Sequence, residues 1–367
     1  MHISQMSKNP TEEEKMVFKQ REFEKITHLV EEEFQVEEAL FENDTPTYYL
    51  VWPQETKSAF LRLLKNLEQI ELIAFLRKVD QRIVLKVVPK PPVKPSRRRI
   101  VWILFFATVV TTFITGYYML PPEAGINPLV GGVMFSAAIL TVIGVHEMGH
   151  KLTANKKKMD ATSPYFIPGP PPLGTLGAVI IQKSLPANRD TLFDVGANGP
   201  IAGFIVALIF SAIGMTLLIP APMPPGAGGL SLVPISWIML SEVFSSLNLI
   251  PAITPPNEVL LLHPIAYAGW AGMVVTMLNL LPAAMLDGGH VARSFALGKK
   301  RFILTAVSIF ILLLAGTEFL FMAVLIVFMS MYQHPGPLDD VSSLSNRRKL
   351  LTIILGIVFV LCFTVRI

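Results

Sequence analysis

Residues 143 to 152 read I-G-V-H-E-M-G-H-K-L and close an apolar run that begins near Val130. Two histidines and a glutamate therefore sit where the surroundings are otherwise oily. On a helix, His146 and His150 are four residues apart and project from one face, with Cβ atoms about 5–6 Å apart. That spacing lets two imidazoles share one tetrahedral zinc ion. Glu147 falls beside them, placed to take a proton from an attacking water. A bare H-E-x-x-H is a short pattern that a solvated, salt-bridging turn on a soluble helix satisfies equally well. The apolar setting weighs against that reading, because an ionisable residue at bilayer depth costs at least ~2.5–3.5 kcal/mol and usually marks a functional site.

The whole chain shares this setting. Of 367 residues, 52% are hydrophobic and 16% charged, and the mean hydropathy is +0.53, well above the apolar share of ordinary soluble domains. Most of the chain is expected in a membrane. The formal net charge of +4 does not point to nucleic acid, since the basic residues cluster at the ends of apolar spans, where membrane topology explains them. The single cysteine, Cys362, allows neither a disulfide framework nor a cysteine-rich zinc finger, so any metal must be held by histidines and carboxylates. The polar N-terminus, M-H-I-S-Q-M-S-K-N-P, is not read as a cleavable signal peptide.

The fold expected is mostly α, a polytopic membrane protein behind a small α+β domain at residues 1–92. In that domain Thr11 and Glu14 make a capping-box pattern ahead of Met16, Phe23, Ile26, Val30 and Phe34 at helical spacing. Tyr48, Leu50 and Trp52 alternate as in a strand, Phe60, Leu63, Leu64 and Leu67 return to the helical period, and Leu72 to Leu76 and Ile83 to Val87 predict two more strands turning at Asp80. No catalytic residue types cluster there. Residues 93–99 belong to a basic, proline-rich linker within P-K-P-P-V-K-P-S-R-R-R, residues 89–99, stiff in the polyproline manner. Arg97, Arg98 and Arg99 precede the first span, which by the positive-inside rule puts the N-terminal domain in the cytoplasm and the protein in the cell membrane.

Residues 100–367 make the membrane domain, with about seven spans. These run near Ile100–Leu120, Leu129–Asn155, Leu192–Ile219, Ile265–Leu286, Phe302–Leu314, Phe319–Met331 and Leu350–Val365. Lys156 to Lys158 mark the cytoplasmic end of the second, so a metal at His150 would lie roughly 9 Å or somewhat more below that edge. Residues 160–190 are too rich in proline and glycine for a straight span. Thr175 to Gln182 reads as a strand in a hairpin or re-entrant loop, which at membrane depth must face protein or a wet cavity; an ordinary cytoplasmic loop is the competing reading. The small residues of G-P-I-A-G, residues 199–203, allow close helix approach, and Asn198 is the polar member of that run. Leu230 to Ile250 is read as interfacial or re-entrant, because a full crossing would invert the charge asymmetry around Arg293 and Lys299 to Arg301.

Catalytic zinc takes three protein ligands and leaves one position open. Asp287 is the best third candidate: it follows a long apolar span, stands beside Gly288 and Gly289, and approaches the cytoplasmic side at the depth of His150. Pro282 predicts that the span is broken just before it, freeing backbone to face a cavity. Glu318 and His263 fall on the expected outer side, and His290 competes with Asp287 for the same space.

H-E-M-G-H in one apolar span, G-P-I-A-G in the next and N-L-L-P-A-A-M-L-D-G-G-H at residues 279–290 together resemble the site-2 protease family of intramembrane zinc metalloproteases. The resemblance covers most of residues 100–330. The N-terminal soluble domain, with S-L-P-A-N-R-D-T-L-F-D-V-G and L-H-P-I-A-Y-A-G-W-A-G, is similar to the branch that includes the chloroplast thylakoid members and their prokaryotic relatives. The resemblance implies His146, His150 and Asp287 as ligands of one zinc ion per chain, Glu147 as the catalytic glutamate, and Asn279 as a donor to the substrate backbone or oxyanion. Ala284 departs from the family pattern, standing where many relatives have a second proline. What is implied is hydrolysis of a peptide bond within a transmembrane protein substrate in the lipid bilayer. A transporter using the same His/Asp site for ion translocation is the alternative, and a non-proteolytic scaffold a further one. The partner of the N-terminal domain is not written in these residues.

Overall fold

The structure is a computed structural model that describes residues 12–92, 95–222, 232–252, 258–332 and 334–366. The chain forms two compact units, one of residues 1–92 with 337–343, the other of residues 93–336 with 344–367.

The first unit contains helix α1 (Glu12–Glu31), strands β1 (Val36–Glu42) and β2 (Thr45–Leu50), helix α2 (Lys57–Glu68), and strands β3 (Leu72–Val79) and β4 (Arg82–Pro89). The capping-box pair Thr11 and Glu14 and the apolar Met16 fall outside the described side chains. The four strands pair antiparallel in the order β1-β2-β4-β3. Ile26, Val30 and Phe34 bury one face of the first helix and its exit, while Phe60, Leu63 and Leu67 bury a stripe of α2 together with Tyr48, Leu76 and Leu85 of the sheet. Strand β1 is absent from the sequence reading, because its exposure runs i-e-e-i-e-e-i rather than alternating.

Residues 337–343, which fall between two expected spans, complete this unit. The Leu76 amide donates to the Leu338 carbonyl at 2.9 Å and the Asp340 amide donates to the Leu76 carbonyl at 3.1 Å, so the segment lies parallel along β3. It covers an edge that would otherwise present unpaired backbone groups. Asp339 is fully buried; its Oδ1 accepts from the amides of Val341 and Ser342, both at 2.9 Å. The Thr56 and Ser342 hydroxyls meet at 2.8 Å.

The second unit begins with α3 (Arg98–Tyr117) and α4 (Pro128–Lys156), followed by strands β5 (Tyr165–Pro168) and β6 (Thr175–Val179) and helix α5 (Arg189–Thr216). Strand β7 (Ile219–Pro222), strand β8 (Leu232–Pro234), helix α6 (Ile235–Ser246) and strand β9 (Glu258–Leu261) lead to α7 (Pro264–Leu280) and the short α8 (Asp287–Arg293). Helices α9 (Lys299–Ala315), α10 (Leu320–Ser330) and α11 (Asn346–Cys362) and strand β10 (Thr364–Arg366) complete it. Among the described residues, α3, α4 and α5 are long and apolar enough to cross a membrane. Trp102, Ile103 and Phe106 on α3 and Ile205, Ile209 and Ile213 on α5 are exposed, an apolar face suited to lipid rather than water.

Helices α7, with 17 residues, and α10, with 11, are shorter than their sequence spans, α9 with 17 runs past both ends of its span, and all three fall short of the ~20 that a bilayer core requires. Helix α7 stops at Leu280 because Pro282 cannot continue the ladder, so Leu281 to Leu286 are non-helical where the sequence reading extended the span. Helix α6 is a 12-residue piece within the stretch read as interfacial; Leu230 of that stretch lies outside the described residues. The strand expected over Thr175–Gln182 is formed at Thr175–Val179 and pairs antiparallel with β5.

Helices α4, α5 and α7 form the centre of this unit, with Val142, Phe193, Ala207 and Met273 buried between them. An ionic clamp fixes one end. Arg348 at the start of α11 donates from Nε and Nη2 to both oxygens of Asp194, each at 2.6 Å, and from Nη1 to Asp190 at 2.9 Å. Lys157, just past α4, meets Asp194 at 2.8 Å. A bidentate arginine–carboxylate pair supplies orientation as well as energy, and here it sets the first turns of α5 against α4.

Asp339→Ala removes two caps from the strap on β3 and is expected to destabilise it by about 1–2 kcal/mol. Native-state hydrogen exchange at the Leu76 amide of the full chain should quicken by about five- to thirtyfold; unchanged protection would show that Asp339 does not hold the strap.

Candidate metal centre

Helix α4 runs unbroken through residues 128–156, so the four-residue spacing of His146 and His150 places both imidazoles on one face, with ring centroids 4.9 Å apart. The break after α7 delivers the third group. Leu281 to Leu286 turn the chain, and Asp287 opens α8 with its carboxylate against the two rings. Three atoms meet: His146 Nε2 and His150 Nε2 are 3.2 Å apart, and Asp287 Oδ2 lies 3.2 Å from the first and 3.3 Å from the second.

These separations decide what the cluster can hold. Three ligand atoms at about 2.0 Å from a tetrahedral zinc stand about 3.3 Å from one another and leave the fourth corner open. The observed triangle has those edges. A simple ion pair needs only one short histidine–carboxylate contact, whereas here all three distances match. The donor set, two imidazole nitrogens and a carboxylate oxygen, is one that zinc accepts, and Glu147 can also bring an oxygen within 4.8 Å of the histidine nitrogens.

Neighbouring backbone fixes the rings. His150 Nδ1 lies 2.7 Å from the Val195 carbonyl, which can only accept, so the proton is on Nδ1 and the Nε2 lone pair faces the triangle. Val195 follows Asp194, and the ionic clamp therefore also positions the group that sets the His150 tautomer. The G-P-I-A-G run lies beneath. A Cβ at Gly199 would collide with the His150 imidazole, and one at Gly203 would stand 2.9 Å from His146 Nδ1. The close approach expected of these glycines is thus an approach to the two histidines. Asn198 donates from Nδ2 to the Thr153 hydroxyl at 2.8 Å and ties α5 to α4.

His146, Glu147 and His150 are buried and line a cavity of about 230 Å³ shared with Asn279, Asp287, Val179 and Ile180. The amide of Ile180, just past β6, is directed at the Glu147 carboxylate. Asn279 Nδ2 is 3.4 Å from His146 Nε2. Among the competitors for third ligand, His263 accepts from the Ile265 amide at 3.2 Å and caps α7, and Glu318 lies in the turn between α9 and α10. His290 lines the cavity, but its Nδ1 is engaged with His334 Nε2 at 2.7 Å. The Gly336 amide donates to His334 Nδ1 at 3.0 Å, so His334 is the donor to His290. The sequence reading did not single out His334, because nothing in the local pattern around it signals a partner 44 residues away.

Ala284 has φ 46° in the turn before Asp287. A proline ring, held near φ of about −65°, cannot adopt that conformation, so the departure at this position is built into the local backbone. The Ala284 carbonyl accepts from Arg301 Nη2 at 3.2 Å.

Gly199→Ala is expected to push the His150 ring off its position and lower zinc affinity by about 10–100-fold, as disturbance of ligand-orienting groups does; elemental analysis of purified protein after mild chelation reads it. Ala284→Pro should lose zinc in the same assay while Ala284→Gly retains it, since glycine accepts positive φ freely.

Comparison with known proteins gives this geometry its relatives. The model of peptidase family M50 matches residues 134–315. The Arabidopsis thaliana protein "Probable zinc metalloprotease EGY1, chloroplastic" is 34% identical over 180 residues, covering 48% of this chain and 31% of the relative. Its counterpart of the same name in Oryza sativa subsp. japonica is 35% identical over 169 residues, covering 44% and 27%. "Probable zinc metalloprotease EGY2, chloroplastic" of Oryza sativa subsp. indica is 28% identical over 240 residues, covering 61% and 42%. The chain thus spans less than half the length of these curated relatives. No solved structure matches. The matched range takes in both histidines of α4, the glycines of α5 and the turn that carries Asp287, and residues 134–315 thus form a domain of peptidase family M50, the site-2 protease family.

Proposed function

We propose that this chain is an intramembrane zinc metalloprotease that hydrolyses a peptide bond within or near a transmembrane segment of a membrane protein substrate. The observation that carries the reading is the triangle of His146, His150 and Asp287, with edges of 3.2–3.3 Å and Glu147 alongside. In it His146, His150 and Asp287 hold the zinc ion, which supplies Lewis acidity, polarising a carbonyl and lowering the pKa of water at the site. Glu147 accepts the proton of the attacking water, and the same carboxyl delivers it to the departing amine as the C–N bond breaks. Asn279 donates from its side-chain amide to the scissile carbonyl oxygen as negative charge develops there.

A helical substrate hides its amides, so it must unwind before attack. The β5–β6 hairpin is two-stranded, which leaves a β6 edge open to an added strand, with Leu176 and Val179 exposed and Val179 and Ile180 at the cavity. An extended substrate segment along β6 would be led to Glu147. In this reading α7, α9, α10 and α11 complete about seven crossings by tilt and by backbone buried in protein. The protein then resides in the cell membrane with its N-terminal domain in the cytoplasm, the side favoured by Arg97 to Arg99. The family assignment does not favour the translocation alternative.

Glu147→Gln should keep one zinc per chain while cleavage of a single-pass model substrate falls by about 10²–10⁴-fold; unaltered cleavage would remove Glu147 from the chemistry. Paired proline substitutions at Leu176 and Val179, which deny backbone donors to an added strand, should suppress cleavage with zinc retained. Cleavage at the parent rate would show that substrate is not held along β6.

A further inference from the structure

Hydrolysis as derived for the metal centre makes no use of His290, yet the fold prepares one of its nitrogens. His290 stands three residues after Asp287 on α8, a spacing that puts two side chains on one helix face. Both line the cavity of about 230 Å³ that also holds Glu147. Helix α5 fixes the root of the ring, since a Cβ at Gly196 would stand 2.8 Å from the Asp287 carbonyl oxygen and 2.9 Å from His290 Cβ. Behind the ring runs a chain of hydrogen bonds with one possible direction. The Gly336 amide donates to His334 Nδ1 at 3.0 Å, and His334 Nε2 lies 2.7 Å from His290 Nδ1. An imidazole that accepts at one nitrogen is neutral and carries its proton on the other, so His334 donates from Nε2 and His290 keeps its own proton on Nε2. His334 is buried and takes no part in the cavity wall; the Nδ1 edge of His290 therefore faces away from the cavity and the Nε2 edge faces it. Among the described residues nothing accepts from that Nε2. The one buried side-chain polar atom there without a partner is Asp339 Oδ2, so the His290 N–H is open to the cavity rather than sealed in protein.

We infer that His290 is a catalytic residue of the peptidase reaction, its Nε2–H donating to the scissile carbonyl oxygen as negative charge gathers there. The inference rests on the peptidase reading and deepens it. Other roles fail on the same geometry. A nitrogen that carries a proton has no lone pair for a metal, so His290 is not a fourth ligand. The chain behind it ends on the Gly336 backbone amide, which has no proton to hand on, so the pair orients His290 and does not refill it after a proton transfer. What remains is a fixed donor in a site walled off from water, the kind of group worth most where charge develops in the transition state. Asn279 at the end of α7 and His290 on α8 then give the oxygen two donors, one from each side of the break at Leu281 to Leu286. His334 acts through His290 and is a positioning residue.

The test uses the full chain in detergent with a single-pass model substrate. His290→Met, similar in length but without a donor, should lower kcat by about 10²–10³-fold while KM stays within about twofold and zinc stays at one per chain. His290→Gln, whose side-chain amide can donate from a similar position, should recover at least about tenfold of that loss. A phosphinic peptide, whose tetrahedral oxygens imitate the oxyanion, should bind His290→Met about 10²–10³-fold more weakly than the parent. Nitrogen-15 NMR of histidine-labelled parent protein should show the Nε2–H form of His290, and His334→Ala should turn it into a mixture of both tautomers with kcat lower by about tenfold. Cleavage by His290→Met at the parent rate, a loss that His290→Gln does not relieve, or an Nδ1–H tautomer in the parent would each overturn the inference. The tautomer measurement needs no substitution, so it decides the matter if His290→Met does not fold. A parent that cleaves beside an inactive Glu147→Gln upholds the peptidase reading whatever His290 does, and a parent that cleaves nothing removes both.

Discussion

Burying two imidazoles and two carboxylates inside an apolar bundle is the constraint around which the membrane unit is built. Isolated, each charged group would cost several kcal/mol in such a medium, and the chain answers by bringing them together. Asp287 meets both His146 and His150, the Ile180 amide faces Glu147, and the Val195 carbonyl takes the second nitrogen of His150. A divalent cation held by the two imidazoles and the Asp287 carboxylate would neutralise what remains. The same groups that would make the bundle untenable when scattered make it specific when converged.

Helix α5 carries more of this arrangement than its composition suggests. It contributes no ligand, yet Val195, Gly199 and Gly203 along one face set the tautomer of one histidine and the room for both. Its first turns are in turn held by Arg348 and Lys157 through Asp194. Orientation of the ligands is thus transmitted from charges at the helix ends through a rigid backbone, and no flexible side chain intervenes between clamp and ring.

How much of this could be read from the sequence follows from the range of each interaction. His146, Glu147 and His150 were legible because one helical turn joins them, and Asp287 because Pro282 and the double glycine mark a broken helix at matching depth. The glycines of G-P-I-A-G declared close packing but not what they pack against, since a missing side chain does not name its neighbour. Ala284 looked like a simple substitution for proline, and only its φ of 46° shows a different backbone. Strand β1 lacks alternation, and the His290–His334 pair and the strap on β3 join segments far apart in sequence, so no local periodicity announces them. Helix lengths were overestimated where apolar composition continued past the last backbone hydrogen bond, as at Leu280.

The strap itself alters what the N-terminal unit is. Its sheet is closed by residues that the ribosome adds some 260 positions after the strand they cover, when the helices between them have already been made. Until then β3 waits with a bare edge, and the unit becomes whole only as α11 is about to emerge. Cutting away residues 1–92 would therefore not free a clean membrane core. It would orphan seven residues shaped for a sheet, with Asp339 exposed and Leu338 without the strand it lies along.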